Sequence, residues 1–113
     1  MFEAGALVLL PFPFSDTSTS KRRPVLALTS PDAYGDFIGM AVSSRSHHEY
    51  SLSLESGSLL NGELPKPSWI RIDRLVTLNA ALVIKTFAKV KPEIQQQAVQ
   101  NLHALLTQYI PQA

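Results

Sequence analysis

Arg22-Arg23-Pro24 runs directly into Val25-Leu26-Ala27-Leu28-Thr29, so a doubled cation stands at the mouth of an apolar strand. Pro24 cannot donate a ladder hydrogen bond and biases Arg23 toward extended geometry, which restricts the backbone beneath the guanidinium. A planar, always-charged fork of donors suits phosphate recognition, and it suits the negative charge that develops on a phosphoryl group under attack. The plainer reading is that the two arginines guard a strand end against unwanted pairing. A second candidate pair lies in Trp69-Ile70-Arg71-Ile72-Asp73-Arg74-Leu75. Alternation there projects Arg71 and Asp73 from one face of a strand and sends Ile70, Ile72 and Leu75 to the core. Arg71 and Arg74 would keep the Asp73 carboxylate ionised and ready to accept a proton, but spacing alone favours a surface salt bridge worth about 0–1 kcal/mol. His47-His48 sit beside Arg45 and bring the side chain that titrates nearest neutrality, but consecutive residues point apart on any regular element. His103 falls near an apolar helix stripe and is expected to be structural. Three histidines without a clustered carboxylate set make no metal site.

The elements that must position these groups are short. Gly5 to Leu10 reads as a buried first strand, continued in extended form by Pro11-Phe12-Pro13-Phe14 and followed by the polar loop Ser15 to Ser20. Pro24 to Ser30 makes a second strand. Turn chemistry over Pro31 to Asp36 leads to a third, Phe37 to Val42, ending at Ser43-Ser44, with a loop from Arg45 to Glu49. Tyr50 to Leu54 alternates in period two. Ser56-Gly57-Ser58 and Asn61-Gly62 are turn signals, Trp69 to Leu75 is another strand, and Val83 to Val90 a short final one. Pro92 opens a helix whose apolar stripe is Ile94, Ala98, Leu102, Leu105, Leu106 and Tyr109, and Pro111 stops it. Phe12 and Trp69 are expected in the core, while Phe14, beside the polar loop, is left open between the core and stacking on an unpaired base. The whole predicts a mainly β fold: a small antiparallel sheet curled into a barrel, with one C-terminal helix.

At 113 residues with 45% hydrophobic content, the chain suits one domain with one core. It has no cysteine, which excludes disulfides and thiolate metal sites and fits a reducing cytoplasm. Its apolar runs are shorter than a membrane span and carry no basic leader, so a soluble, unexported protein is expected. A net charge of +1 exerts little overall pull on nucleic acid. Any such binding needs a local patch, for which Lys21, Arg22, Arg23, Arg45, Arg71 and Arg74 are the candidates.

Pro11-Phe12-Pro13-Phe14-Ser15-Asp16, a polar loop, and Lys21-Arg22-Arg23-Pro24-Val25-Leu26-Ala27-Leu28 resemble the N-terminal signature of the PemK/MazF family of toxin endoribonucleases. The resemblance continues through Val42-Ser43-Ser44 and Ser68-Trp69-Ile70-Arg71-Ile72-Asp73-Arg74-Leu75, in the family's order over most of the chain. It implies an SH3-like barrel shared with the CcdB toxins, a C-terminal helix and a homodimer. The implied activity is metal-independent, cofactor-free cleavage of single-stranded RNA at short preferred sequences, through a 2',3'-cyclic phosphate. It halts translation and growth until a cognate antitoxin covers the site, and DNA is bound only through the antitoxin complex. Arg23 matches the arginine that holds the scissile phosphate. Ser43 or Ser44 stands where members commonly have a catalytic threonine. Arg71 and Asp73 match an Arg-x-Asp pair used as acid and base by PemK-like members. Arg22, Ser44, Arg45, His47 and Phe14 would then touch RNA. The competing classes are a CcdB-like, non-enzymatic gyrase binder, which needs no phosphate-binding cluster, and an inactive member that binds DNA with its antitoxin.

Overall fold

The uninterrupted apolar phase of Ala6 to Leu10 demands burial on both faces of a strand, and the fold supplies it. The computed structural model describes residues 2–11, 22–46 and 49–112. The strands are β1 (Ala6–Pro11), β2 (Arg22–Ala27), β3 (Asp36–Ser43), β4 (Ser51–Leu54), β5 (Leu59–Gly62), β6 (Ser68–Asn79) and β7 (Lys85–Val90), followed by the helix α1 (Pro92–Thr107). They make one antiparallel sheet in the order β4-β6-β3-β2-β1-β7-β5.

That order forces a curl. Laid flat, six interstrand steps would put β4 and β5 about 29 Å apart. Between Leu54 and Leu59 the chain spans at most about 18 Å. The connection is a tight 3₁₀ turn over Ser56–Ser58, closed by the Ser58 amide on the Glu55 carbonyl (2.9 Å) and the Glu55 amide on Ser58 Oγ (3.1 Å). The two edges are therefore drawn together, and the sheet becomes a half-barrel of the mainly β, barrel-like kind expected.

Apolar side chains fill both sides of it. Within the curl, Leu7, Leu26, Met40, Leu54, Leu59 and Ile70 pack with Val90 and with Ala98 of α1. On the opposite face Val8, Leu10, Val25, Phe37 and Leu78 pack with Phe2, whose ring meets Phe37 edge-on at 4.9 Å. Strand β6 serves both cores. Its register against β3 passes from Met40↔Leu75 to Val42↔Ile70, five steps on β6 against two on β3. An odd excess of three residues reverses the face. Ile70 and Ile72 therefore enter the first core, and Leu78 the second.

Several expectations are corrected. Leu75 lies beyond the register displacement, opposite Met40, and is 43% exposed instead of buried. Asn61-Gly62 is not a free turn but the end of β5, bonded along β7. β2 starts at Arg22 rather than Pro24 and stops at Ala27, β6 runs on to Asn79, and β7 starts only at Lys85. In α1, Ala98 is buried and Ile94, Leu102 and Leu105 pack on the sheet, but Leu106 and Tyr109 are 57% and 70% exposed. Tyr109 instead shares a hydrogen bond with Tyr50, which raises the Tyr50 phenol above its ordinary pKa. His103 is exposed, and Trp69 is half-buried. The helix ends at Thr107, the residue whose carbonyl Pro111 can neither bond nor tolerate. Phe12, Phe14, Lys21, His47, His48 and the Ser15 to Ser20 loop lie outside the described residues.

Gly62 fixes the exit from β5. It has φ +84°, and an added Cβ would overlap the Phe87 carbonyl oxygen and Ala88 Cα. Gly62→Ala should therefore lower stability by about 2–3 kcal/mol, read from the midpoint of urea unfolding at unchanged slope.

Candidate functional site

The site begins with a hydrogen bond that cannot form. Leu28 N donates to Ile38 O at 2.8 Å, and the β2–β3 register runs Ala27↔Gly39, Leu26↔Met40, Val25↔Ala41. Amides on one strand point to the same neighbour at every second residue, so those of positions 28, 26 and 24 face β3. Position 24 is proline. The next rung, to Val42, is lost, and the ladder to β3 ends at Val25. Beyond it the strands follow different neighbours: β2 stays on β1 through Leu10↔Arg23 and Pro11↔Arg22, and β3 stays on β6 through Val42↔Ile70 and Ser43↔Trp69. The sheet splits there. Extending the lost register sets Arg23 opposite Ser43 and Arg22 opposite Ser44 across the gap.

The split opens a cleft of about 950 Å³, lined by Arg22, Arg23, Ser43, Ser44 and Arg45, by Arg71 and Arg74 of β6, and by Lys66 and Lys85. Among the described residues, seven lysines and arginines thus face one cavity, against a single carboxylate, Glu63. A cavity so lined focuses positive potential that the net charge of +1 conceals. Ser43 Oγ accepts the Arg45 amide at 3.1 Å, which fixes the start of the loop and leaves its O–H to donate.

Arg71 and Asp73 form a bidentate pair, Nε to Oδ1 at 3.0 Å and Nη2 to Oδ2 at 2.9 Å. The hydrogen bonds from Arg71 hold the Asp73 carboxyl below its ordinary pKa, against the opposing pull of burial. Arg71 lines the cleft and carries Asp73 as its ion-pair partner. The displaced register of β6 opposite Met40 and Val42 spans this segment and swings it away from β3. Among the described residues no group of three or more histidine, cysteine or acidic side chains comes together.

The model of the PemK-like, MazF-like toxins of type II toxin–antitoxin systems matches residues 3–106. The chain belongs to this family. Its fold is similar to that of MazF in the MazE–MazF complex of Deinococcus radiodurans, with a TM-score of 0.74 at 20% identity over 93% of this chain and 95% of that one. A mycobacterial endoribonuclease solved with its cognate antitoxin gives 0.72 at 12% identity, over 98% and 100%. The Mycobacterium tuberculosis toxin MazF-mt6 gives 0.67 at 12%, over 90% and 96%. No curated protein matches the chain. At these identities the likeness to solved structures is one of fold.

In this PemK/MazF-like chain, Arg22, Arg23, Ser43, Ser44, Arg45 and Arg71 come together on one cleft, with Asp73 paired to Arg71 but outside the lining. Sequence reasoning missed Lys66, Lys85 and Glu63. Pro65-Lys66-Pro67, a cation between two stiff residues, was a signal for the first. Nothing local marked the others, which arrive through the pairing of β5 and β1 with β7.

Restoring the missing amide should close the split. Pro24→Ala is expected to remain folded, to show an exchange-protected amide at position 24 and to narrow the cleft; an unprotected amide would mean that something else parts the strands. The Asp73 pair carries a pH signature. A carboxyl whose pKa is lowered by folding stabilises the fold above its unfolded pKa, about 3.9, and loses that effect as pH falls through the lower folded value. With Asp73 33% exposed, the contribution is at most about 1 kcal/mol. Wild type should thus exceed Asp73→Asn in stability at pH 7, with the gap closing below about pH 4 in denaturant titrations at stepped pH.

Proposed function

We propose that this toxin is an endoribonuclease that cuts single-stranded RNA in the split-sheet cleft, without a metal ion, and that a cognate antitoxin restrains it. The observation that carries this reading is the cleft itself, where Arg23 and Ser43 line one cavity with six further cations. A cavity of that charge fits a polyanion threading through it. It is not what a gyrase-directed binder requires.

In this mechanism the ribose 2'-oxygen attacks the adjacent phosphorus and the 5'-oxygen departs, leaving a 2',3'-cyclic phosphate. Arg23 and Arg71 meet the charge of the pentacoordinate phosphorus, with Ser43 donating to a phosphate oxygen. Asp73 receives the 2'-hydroxyl proton. An incoming phosphate competes for the Arg71 fork, and each bond that it takes leaves an Asp73 oxygen free and more basic. An arginine pKa above about 12 makes Arg71 a poor proton donor, so its part is electrostatic, and the leaving oxygen draws its proton from solvent in the open cleft. Support for an antitoxin partner comes from the similar folds of MazF bound to MazE and of the mycobacterial endoribonuclease bound to its antitoxin. The active form is a homodimer.

The test is incubation of the purified protein with a long single-stranded RNA in a chelator, followed by mapping of the cut ends. Discrete cuts ending in 2',3'-cyclic phosphate are expected. Arg23→Ala should slow them about 10²–10³-fold while the melting temperature holds, since Arg23 is exposed. Intact RNA with the wild-type protein, or full activity in the variant, would sink the assignment.

A further inference from the structure

A cleft built for a polyanion contains one carboxylate that repels it. Glu63 lines the cleft beside seven cations and makes no ion pair or hydrogen bond among the described residues. It is not carried there by a slack loop. The preceding residue, Gly62, is registered against Ala88 of β7 in a conformation that tolerates no side chain. The following residue, Leu64, packs on the core inside the curl. Pro65 and Pro67 stiffen the rest, and Ser68 Oγ closes the segment on the Lys66 carbonyl at 3.0 Å. Both neighbours of Glu63 are thus held by packing, and only its side chain is left to project.

Resting on the ribonuclease reading, we propose that Glu63 selects RNA sequence by accepting two hydrogen bonds from the Watson–Crick edge of an unpaired guanine. An ionised carboxylate only accepts, and it accepts best from two parallel donors. Among the four bases, guanine alone presents two adjacent donors on that edge, N1–H and the N2 amine. Adenine and cytosine set their amine beside a ring nitrogen that repels a carboxylate, and uracil flanks N3–H with two carbonyls. The cations hold phosphates and discriminate little between sequences, so base choice falls to groups such as this one.

The experiment maps cleavage of a random-sequence single-stranded RNA pool by wild type, Glu63→Gln and Glu63→Ala, and repeats it with inosine, which lacks the N2 amine, in place of guanosine. The expected result is a guanine at one fixed position relative to the cut. Cleavage at those sites should fall about tenfold with inosine, and the guanine preference should be lost in both variants while other sites continue to be cut. A wild type without guanine preference, or variants that retain it, would overturn the proposal. So would variants that cut all sites equally faster, because Glu63 would then only temper the positive field. Should wild type cut nothing, the ribonuclease reading fails separately, and selection from a non-cleavable 2'-O-methyl RNA pool decides the matter: guanine enrichment lost in Glu63→Gln supports the contact, and no enrichment removes it.

Discussion

Pro24 has no hydrogen to give to the carbonyl of Val42, and much of the molecule is arranged around that absence. Elsewhere in the sheet each central strand is paired on both sides, β2 with β1 and β3, and β3 with β2 and β6. A cavity within such a sheet needs a rung removed at no great cost. Proline removes the donor as well as the bond, so position 24 leaves no amide of its own unpaired, and at the mouth of an open cleft water can satisfy the carbonyl it would have bonded. Strand β2 stays anchored on β1 as far as Pro11↔Arg22, which places the two arginines on ordered backbone at the point where the sheet parts.

The same geometry resolves an apparent conflict between a near-neutral chain and the anionic substrate proposed for it. Nine acidic residues almost cancel ten basic ones over the whole sequence, yet among the described residues one carboxylate lines the cleft against seven cations. Clustering like charges raises the energy of the unoccupied cleft, and a bound polyanion relieves it. The barrel-like curl permits the clustering, since it brings the β5–β6 connection with Lys66 and the start of β7 with Lys85 to the cleft that β2 and β3 open.

What the sequence reveals follows from the range of the interactions concerned. Strands β1 and β2 are legible because burial on both faces writes a continuous apolar run, and Arg71 and Asp73 because their phase within one strand is local. Arg23 is legible through its proline neighbour. Leu75 is misplaced because its fate depends on strict alternation from Ile72 and on a register displacement set by β3 pairing. β5 is hidden because Asn61-Gly62 carries the composition of a turn, whereas its conformation is imposed by β7. The roles of Leu106 and Tyr109 depend on where the sheet ends beneath the helix, and those of Lys66, Lys85 and Glu63 on which strands become neighbours. None of these is written within a few residues of the side chain concerned.

The Arg71–Asp73 pair shows why an element readable as a plain salt bridge can still belong to a reaction centre. As a pair it contributes little to stability, being partly solvated and two residues apart on one strand. Its worth lies in being exchangeable. Arg71 lines the cleft, so a phosphate entering the cavity meets the guanidinium that holds the Asp73 carboxylate. Each hydrogen bond that the phosphate takes is one that the carboxylate loses, and those are the bonds that depress its pKa. Without RNA the carboxylate is a weak base locked to its neighbour. In the proposed reaction, bound RNA returns basicity to the carboxylate that takes the 2'-hydroxyl proton, which makes an ordinary partly exposed pair responsive to substrate.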